Sequence, residues 1–160
     1  MAKKVKAIPE NFHAITPNLV LRDAARAIDF YKSVFGAKEN TRIPGPEGKI
    51  MYAELKIGDS IFILNDSMSK IPPAMPEPGA SNPMYILLYV NDVDSVFDAA
   101  VEDGARIDMP VQDMFWGDRY GKLTDPYGQQ WGIATHQEDV APDELKRRMN
   151  AQFSKAAGQH

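Results

Sequence analysis

The chain contains no cysteine among its 160 residues. Disulfides, thiolate metal sites and a cysteine nucleophile are therefore excluded. Long hydrophobic runs are also missing: the longest, Met84 to Val90, is far too short to span a bilayer. The first residues lack the apolar stretch of a secretory signal. Together these absences predict a soluble, cytoplasmic protein without membrane partners. Positive charge is scarce, with 18 Lys and Arg against 22 Asp and Glu and a net charge of −4. Neutralising nucleic-acid phosphates needs clustered Lys and Arg, so no nucleic-acid partner is expected. The small basic groups at Lys3, Lys4 and Lys6 and at Lys146, Arg147 and Arg148 read as solvated faces.

Other chemistries are missing too. No G-x-G-x-x-G fingerprint, phosphate loop or G-x-S-x-G elbow occurs. Gly45-Pro46-Glu47-Gly48-Lys49 comes nearest to a phosphate loop, but its prolines remove the N–H donors that a cradle needs. It reads as a hairpin turn. With three histidines in the chain, a Ser-His-Asp triad has few possible bases.

What is present is a repeat. Ile15 to Asp23 leads into an apolar-periodic segment closed by Gly36-Ala37, and Pro83 to Asp92 leads into another closed by Gly104-Ala105. Such internal similarity indicates one supersecondary unit duplicated and fused. In each half a strand (His13 to Leu21 in the first) is followed by an aspartate placed to cap a helix, Asp23 or Asp92. Apolar residues at helical spacing follow: Ala24, Ala27, Ile28, Tyr31, Val34 and Phe35, then Val93, Val96, Phe97, Ala100 and Val101. Each half continues with a short strand, Glu39 to Ile43 or Arg106 to Val111, and then a hairpin. The hairpins turn at Gly58-Asp59 and at Asp125-Pro126-Tyr127-Gly128.

The expected fold is thus α+β in a single domain, with β-α-β-β-β modules at about residues 13–65 and 83–136. A proline-rich linker, residues 66–82, joins them and reads as a passive extended connector, the alternative being a lid using Met68, Ile71 and Met75. Pro142 at a helix start, with Leu145, Met149 and Phe153 at i, i+4 and i+8, predicts an amphipathic C-terminal helix over about 141–157.

The paired modules, Asp23 followed by Phe30-Tyr31 and Phe35-Gly36, and the Asp125-Pro126-Tyr127-Gly128 turn resemble the vicinal oxygen chelate superfamily. That group holds glyoxalase I, bleomycin-resistance proteins and extradiol dioxygenases. Met114-Phe115-Trp116-Gly117-Asp118-Arg119-Tyr120-Gly121, with Trp131 and Ala134 to Asp139, resembles its PhnB-like branch. The resemblance implies one curved eight-stranded sheet around a cleft, with helices outside, and a homodimer. It also implies, in metal-dependent members, a divalent ion held by His or Glu from the first and last strands of each half, where it acts as a Lewis acid.

Counting from the capping aspartates and the turn glycines puts Thr16, Phe62, Tyr85 and Gly132 at the implied ligand positions. None is a good divalent-metal ligand, so no metal is expected. A one-residue register slip would turn the opposite face inward. His13, Glu54, His136 and Glu138 are the donors such a slip would have to recruit, and His160 reads as a terminal residue.

Strand alternation then predicts a cleft lined by Asn18, Tyr52, Phe62, Tyr85, Leu87 and Gln130, with Trp131 and Ile133 against the helices. Trp116 and Arg119 either close over a ligand or form local turn chemistry. Glu54 is the one candidate general base, the alternative being an exposed edge carboxylate. Such a lining suits a flat, partly apolar organic ligand held by stacking and one or two hydrogen bonds. Two functional readings stand: a metal-free small-molecule-binding protein similar to the bleomycin-resistance members, or a metal-dependent lyase, isomerase or dioxygenase.

Overall fold

A computed structural model describes residues 3–71, 73–79 and 82–158. Eight strands and three α-helices follow the order β1 (Asn18–Leu21), α1 (Ala24–Phe35), β2 (Lys38–Pro44), β3 (Ile50–Ile57), β4 (Ser60–Asp66), β5 (Ile86–Tyr89), α2 (Val93–Glu102), β6 (Arg106–Asp113), β7 (Asp118–Thr124), β8 (Gln130–His136) and α3 (Pro142–Ala157). Each half is β-α-β-β-β, as the repeat predicts. The eight strands hydrogen-bond as two four-stranded sheets, β1-β4-β3-β2 and β5-β8-β7-β6, rather than as one continuous sheet. In each, the first strand runs parallel to the last and the remaining pairs are antiparallel. The first strand is shorter than its apolar pattern suggests. Pro17 precedes it, the Thr16 hydroxyl turns back to donate to the His13 carbonyl, and the ladder starts where Ile63 N–H donates to Pro17 O.

Both helices start where an aspartate can accept the free N–H groups of the first turn. Asp23 Oδ1 accepts from Arg26 N at 3.2 Å and Asp92 Oδ1 from Ser95 N at 3.3 Å. Helix α1 ends at Gly36, whose φ of 68° favours a residue without Cβ. The helices then diverge. Helix α1 buries seven of its 12 residues, whereas α2 buries three of 10. The difference follows from position: Tyr31 of α1 meets both Phe62 of β4 (ring centroids 5.8 Å) and Trp131 of β8 (5.3 Å). One continuous core therefore serves both sheets, and the opposite faces of the sheets are turned away from it.

A buried carboxylate fastens the halves. Asp125 is fully buried and accepts from the Tyr31 hydroxyl at 2.5 Å, Trp131 Nε1 at 2.9 Å, and the backbone N–H groups of Tyr127 and Gln129 at 2.9 and 3.0 Å. Burial pushes its pKa up against the pull of these hydrogen bonds, and burial beside Asp125 pushes the Tyr31 phenol up as well. In the connector, residues 73–77 form no helix or strand. Arg22 Nε donates to Pro73 O and Arg106 Nη1 to Pro76 O, so the connector is tied to both modules. Pro72 and His160 lie outside the described residues. No described helix is long and apolar enough to cross a membrane.

Candidate functional site

Strand pairing fixes which side chains share a face. In the first sheet Asn18 lies beside Ile63, Ile63 beside Glu54 and Glu54 beside Thr41. In the second, Leu87 lies beside Gly132, Gly132 beside Lys122 and Lys122 beside Met109. These rows lie on the faces turned away from the core. The opposite parity, with Ala53, Leu55, Phe62 and Leu64 in one sheet and Leu123, Trp131 and Ile133 in the other, is the buried one. The expectation that Trp131 and Ile133 pack against the helices holds. Phe62, expected beside Asn18, instead packs in the core against Tyr31 and Trp131. The residue that corresponds to Gly132 is Ile63.

The outward face of the second sheet is aromatic. Tyr85 and Tyr120 meet hydroxyl to hydroxyl at 3.2 Å, Trp116 stands edge-on to Tyr120 at 5.9 Å, and Lys122 Nζ lies 4.4 Å from the centre of the Tyr85 ring. Gly132 lies beneath the two tyrosines. A Cβ there would come within 2.8 Å of Tyr120 Cε2 and 3.0 Å of Tyr85 Cε2, so glycine lets both rings lie close over the strand. Burial first, and then the Tyr85 hydroxyl, push the Tyr120 phenol well above its ordinary pKa. It stays protonated at neutral pH and donates to the Tyr85 hydroxyl.

One register step along, Asp118 pairs with His136 across β7 and β8. Asp118 is 4% exposed and accepts from Tyr89 Oη at 2.8 Å and Trp116 Nε1 at 3.1 Å, with His136 Nδ1 at 2.7 Å. Burial alone would raise its pKa, but the bonds from His136, Tyr89 and Trp116 outweigh that effect and hold it below the usual carboxylate range. His136 Nε2 lies 2.7 Å from Asp139, and hydrogen bonds to Asp139 and then Asp118 raise the imidazole pKa. A raised folded-state value means that the stabilisation is fully present below the unfolded histidine pKa of about 6.5 and is lost as pH rises through the folded value. The wild-type urea midpoint is expected to fall from about pH 6 to 8 more steeply than that of His136→Gln. Parallel profiles would remove His136 from the pH dependence.

The remaining candidates are divided between the two sheets. Asn18, Tyr52 and Glu54 lie on the outward face of the first sheet, where Glu54 accepts from Asn40 Nδ2 at 3.0 Å and Tyr52 Oη at 3.2 Å. Tyr85, Leu87, Trp116 and Gln130 belong to the second half, with Leu87 and Gln130 in its strands and Gln130 Nε2 donating to Asp108 at 3.0 Å. Arg119 forms ion pairs on the side of α2. Its guanidinium pairs with Asp94 of α2 at 2.8 Å and with Asp113 at 3.3 Å. Tyr120 and Lys122 are the site residues that sequence reasoning missed. The available signal was their alternation with Leu123 in a predicted strand, which lacked an anchor until its pairing with β8 was known.

Between the halves, a cavity of about 440 Å³ opens along the unpaired edge of β5. His13, Ile15, Ile61 and Phe62 line one side, and Leu87 and Tyr89 belong both to its lining and to the exposed second sheet. The family's implied metal positions do not fit a divalent ion. Thr16 is bonded to His13 O, Tyr85 to Tyr120, Phe62 is in the core, and Gly132 has no donor. Three donors of a slipped register have other partners: His136 is engaged by Asp118 and Asp139, Glu138 by Arg148, and Glu54 by Asn40. Among the described residues no group of three or more His, Asp or Glu side chains could hold a metal.

The chain is 39% identical over 142 residues to an uncharacterized protein of Mycobacterium tuberculosis, covering 87% of this chain and 84% of that one. Its fold is similar to that of a solved gene product of Arabidopsis thaliana (28% identity, TM-score 0.58, 77% of this chain and 98% of that one). It is also similar in fold to a PhnB protein from Bacillus cereus described as a putative 3-demethylubiquinone-9 3-methyltransferase (22% identity, TM-score 0.63, 77% and 99%). Residues 12–133 match the Glyoxalase/Bleomycin resistance protein/Dioxygenase superfamily. With its two β-α-β-β-β halves, the chain belongs to that superfamily.

Proposed function

We propose that the protein is a metal-free binder of a small, flat, partly apolar organic molecule, held on the outward face of the second sheet. The observation that carries this reading is the aromatic surface over Gly132. Tyr85 and Trp116 offer stacking faces backed by the buried Tyr120, and the Tyr85 hydroxyl and Lys122 offer polar points. Lys122 favours a ligand bearing an acidic group, because an ammonium beside an aromatic face attracts an anion without a rigid fork of donors.

A second copy of the chain closes the site in this reading. The outward faces expose Val20 and Ile43 on one sheet and Leu87 and Tyr89 on the other, too much apolar surface for a face in permanent contact with water. Glu54 and Lys122 occupy corresponding rows of the two sheets, so apposing the first sheet of one copy to the second sheet of its partner joins opposite charges. The exposed Phe153 of α3 offers a further apolar contact.

Thermal-shift screening with planar aromatic acids tests the reading. A ligand at about 100 times its Kd should stabilise the protein by about 2.7 kcal/mol, raising Tm by roughly 5–10 °C. Tyr85→Ala should abolish most of that shift while leaving the unliganded Tm within about 2 °C, since Tyr85 lies outside the core. No stabiliser across a broad set, or shifts indifferent to Tyr85→Ala, overturns the proposed face. Stoichiometric Zn, Ni, Fe or Mn in protein purified without chelator, lost in Glu54→Ala or His136→Ala, overturns the metal-free reading in favour of a metal-dependent lyase, isomerase or dioxygenase.

A further inference from the structure

Away from the aromatic face, a cavity of about 240 Å³ lies where β1 and β4 end and the connector begins. Arg22, Lys49, Lys70, Ser67, Ser69 and Asp66 are among its lining residues. Arg22 stands apart from every other arginine in the chain. Each of the others pairs with a carboxylate, whereas Arg22 has no carboxylate partner among the described residues. Its Nε is committed to Pro73 O at 2.7 Å, which fixes the guanidinium and leaves the terminal nitrogens to bind something else. Lys49 Nζ is positioned in the same way, donating to Ser67 O at 3.2 Å.

The polar groups around these cations leave donors and few acceptors. Ser67 Oγ accepts from Ser69 N and Ser69 Oγ from Ile71 N, both at 3.2 Å, so the hydroxyl protons remain free to donate. The single carboxylate, Asp66, is turned to the backbone: Oδ1 accepts from Ala24 N at 2.9 Å and Oδ2 from Ile50 N at 2.7 Å. Its charge is spread over two buried N–H groups, and its oxygens are engaged. What remains is a site with three cations and two hydroxyls in a chain whose net charge is −4. An acceptor-only group with several oxygens and more than one negative charge matches it.

We propose that this cavity binds a phosphate-class dianion, either inorganic phosphate or the phosphoryl group of a small ester. A bound dianion bridges Arg22 of the first module with Ser69 and Lys70 of the connector, and so fastens the connector onto the sheet. Recognition there is independent of the aromatic face, and neither proposal stands or falls with the other.

Calorimetric titration of the full chain in low-salt chloride buffer, with inorganic phosphate and separately with glycerol 3-phosphate, tests the proposal. One site per chain is expected, with Kd below about 1 mM for the better of the two. Tighter binding of the ester assigns the site to a phosphorylated metabolite, and tighter binding of the free ion assigns it to phosphate. Arg22→Gln and Lys70→Gln should each weaken binding at least about tenfold, whereas Lys146→Gln in α3 should not. Lys70 is exposed and makes no hydrogen bond among the described residues, so Lys70→Gln keeps the test valid if Arg22→Gln misfolds. Phosphate should also slow tryptic cleavage after Lys70 in the wild-type chain. The proposal is overturned if neither ligand gives saturable heat up to about 20 mM, or if affinity is unchanged in both variants.

Discussion

Asp125→Ala is expected to cost about 3–5 kcal/mol of unfolding free energy, a large share of the roughly 5–15 kcal/mol that holds a domain together. The loss arises on the other side of each broken bond. The Tyr31 hydroxyl, Trp131 Nε1 and two backbone N–H groups lose their acceptor in a region closed to water, and a buried donor without a partner costs its full desolvation. Tyr31→Phe removes a single donor and should cost only about 1 kcal/mol. Asp125→Asn keeps an acceptor oxygen and should fall between the two. Urea midpoints at constant m-value would establish this order. If Asp125→Ala proves no costlier than Tyr31→Phe, the carboxylate does not organise the joint between the halves.

The second large effect is expected at Gly117, where alanine meets two obstacles at once. The residue has φ of 104°, a conformation that L side chains rarely adopt, and its added Cβ would lie 2.3 Å from the carbonyl oxygen of Glu138. That oxygen belongs to the backbone and cannot swing aside. Gly117 O also accepts from Gln137 N and Glu138 N, so relieving the clash means pulling residues 137–140 off the loop. Gly117→Ala should lower stability by about 2–4 kcal/mol and free the start of α3, where Arg148 otherwise donates to Phe115 O and pairs with Glu138. Hydrogen exchange should show loss of protection over residues 137–150 beyond that of the β-strands. Protection that falls evenly across the chain would point to a general loss of stability instead.

The architecture was legible in the sequence to the extent that it depends on periodicity. The capping aspartates, the glycine stops and the apolar spacing placed both helices, and the alternation around Gly58-Asp59 and Asp125 to Gly128 placed both hairpins. Face assignment succeeded for β5 and β8 and failed for β4. Between the equivalent pairs Lys56–Ile61 and Thr124–Gln130, the second half carries one residue more. Counting forward from a glycine in each turn therefore reaches opposite faces, Phe62 on the core side and Gly132 on the outward side.

The candidate site was less legible, because its defining contacts join residues far apart in the chain. Nothing local tells that Asp125 meets Tyr31, that Arg119 reaches Asp94, or that Tyr85 and Tyr120 share the space left by Gly132. Where partners are close in sequence, as with His136 and Asp139, the motif is visible but its geometry is not.

The double engagement of α1 makes the two copies of the ancestral unit unequal. A substitution at Tyr31 must suit both Phe62 of one sheet and Trp131 of the other, whereas Phe97 packs against Gly121 of its own module. With seven buried positions against three, α1 leaves fewer sites open to substitution than α2, so tolerance to change should be concentrated in the second helix.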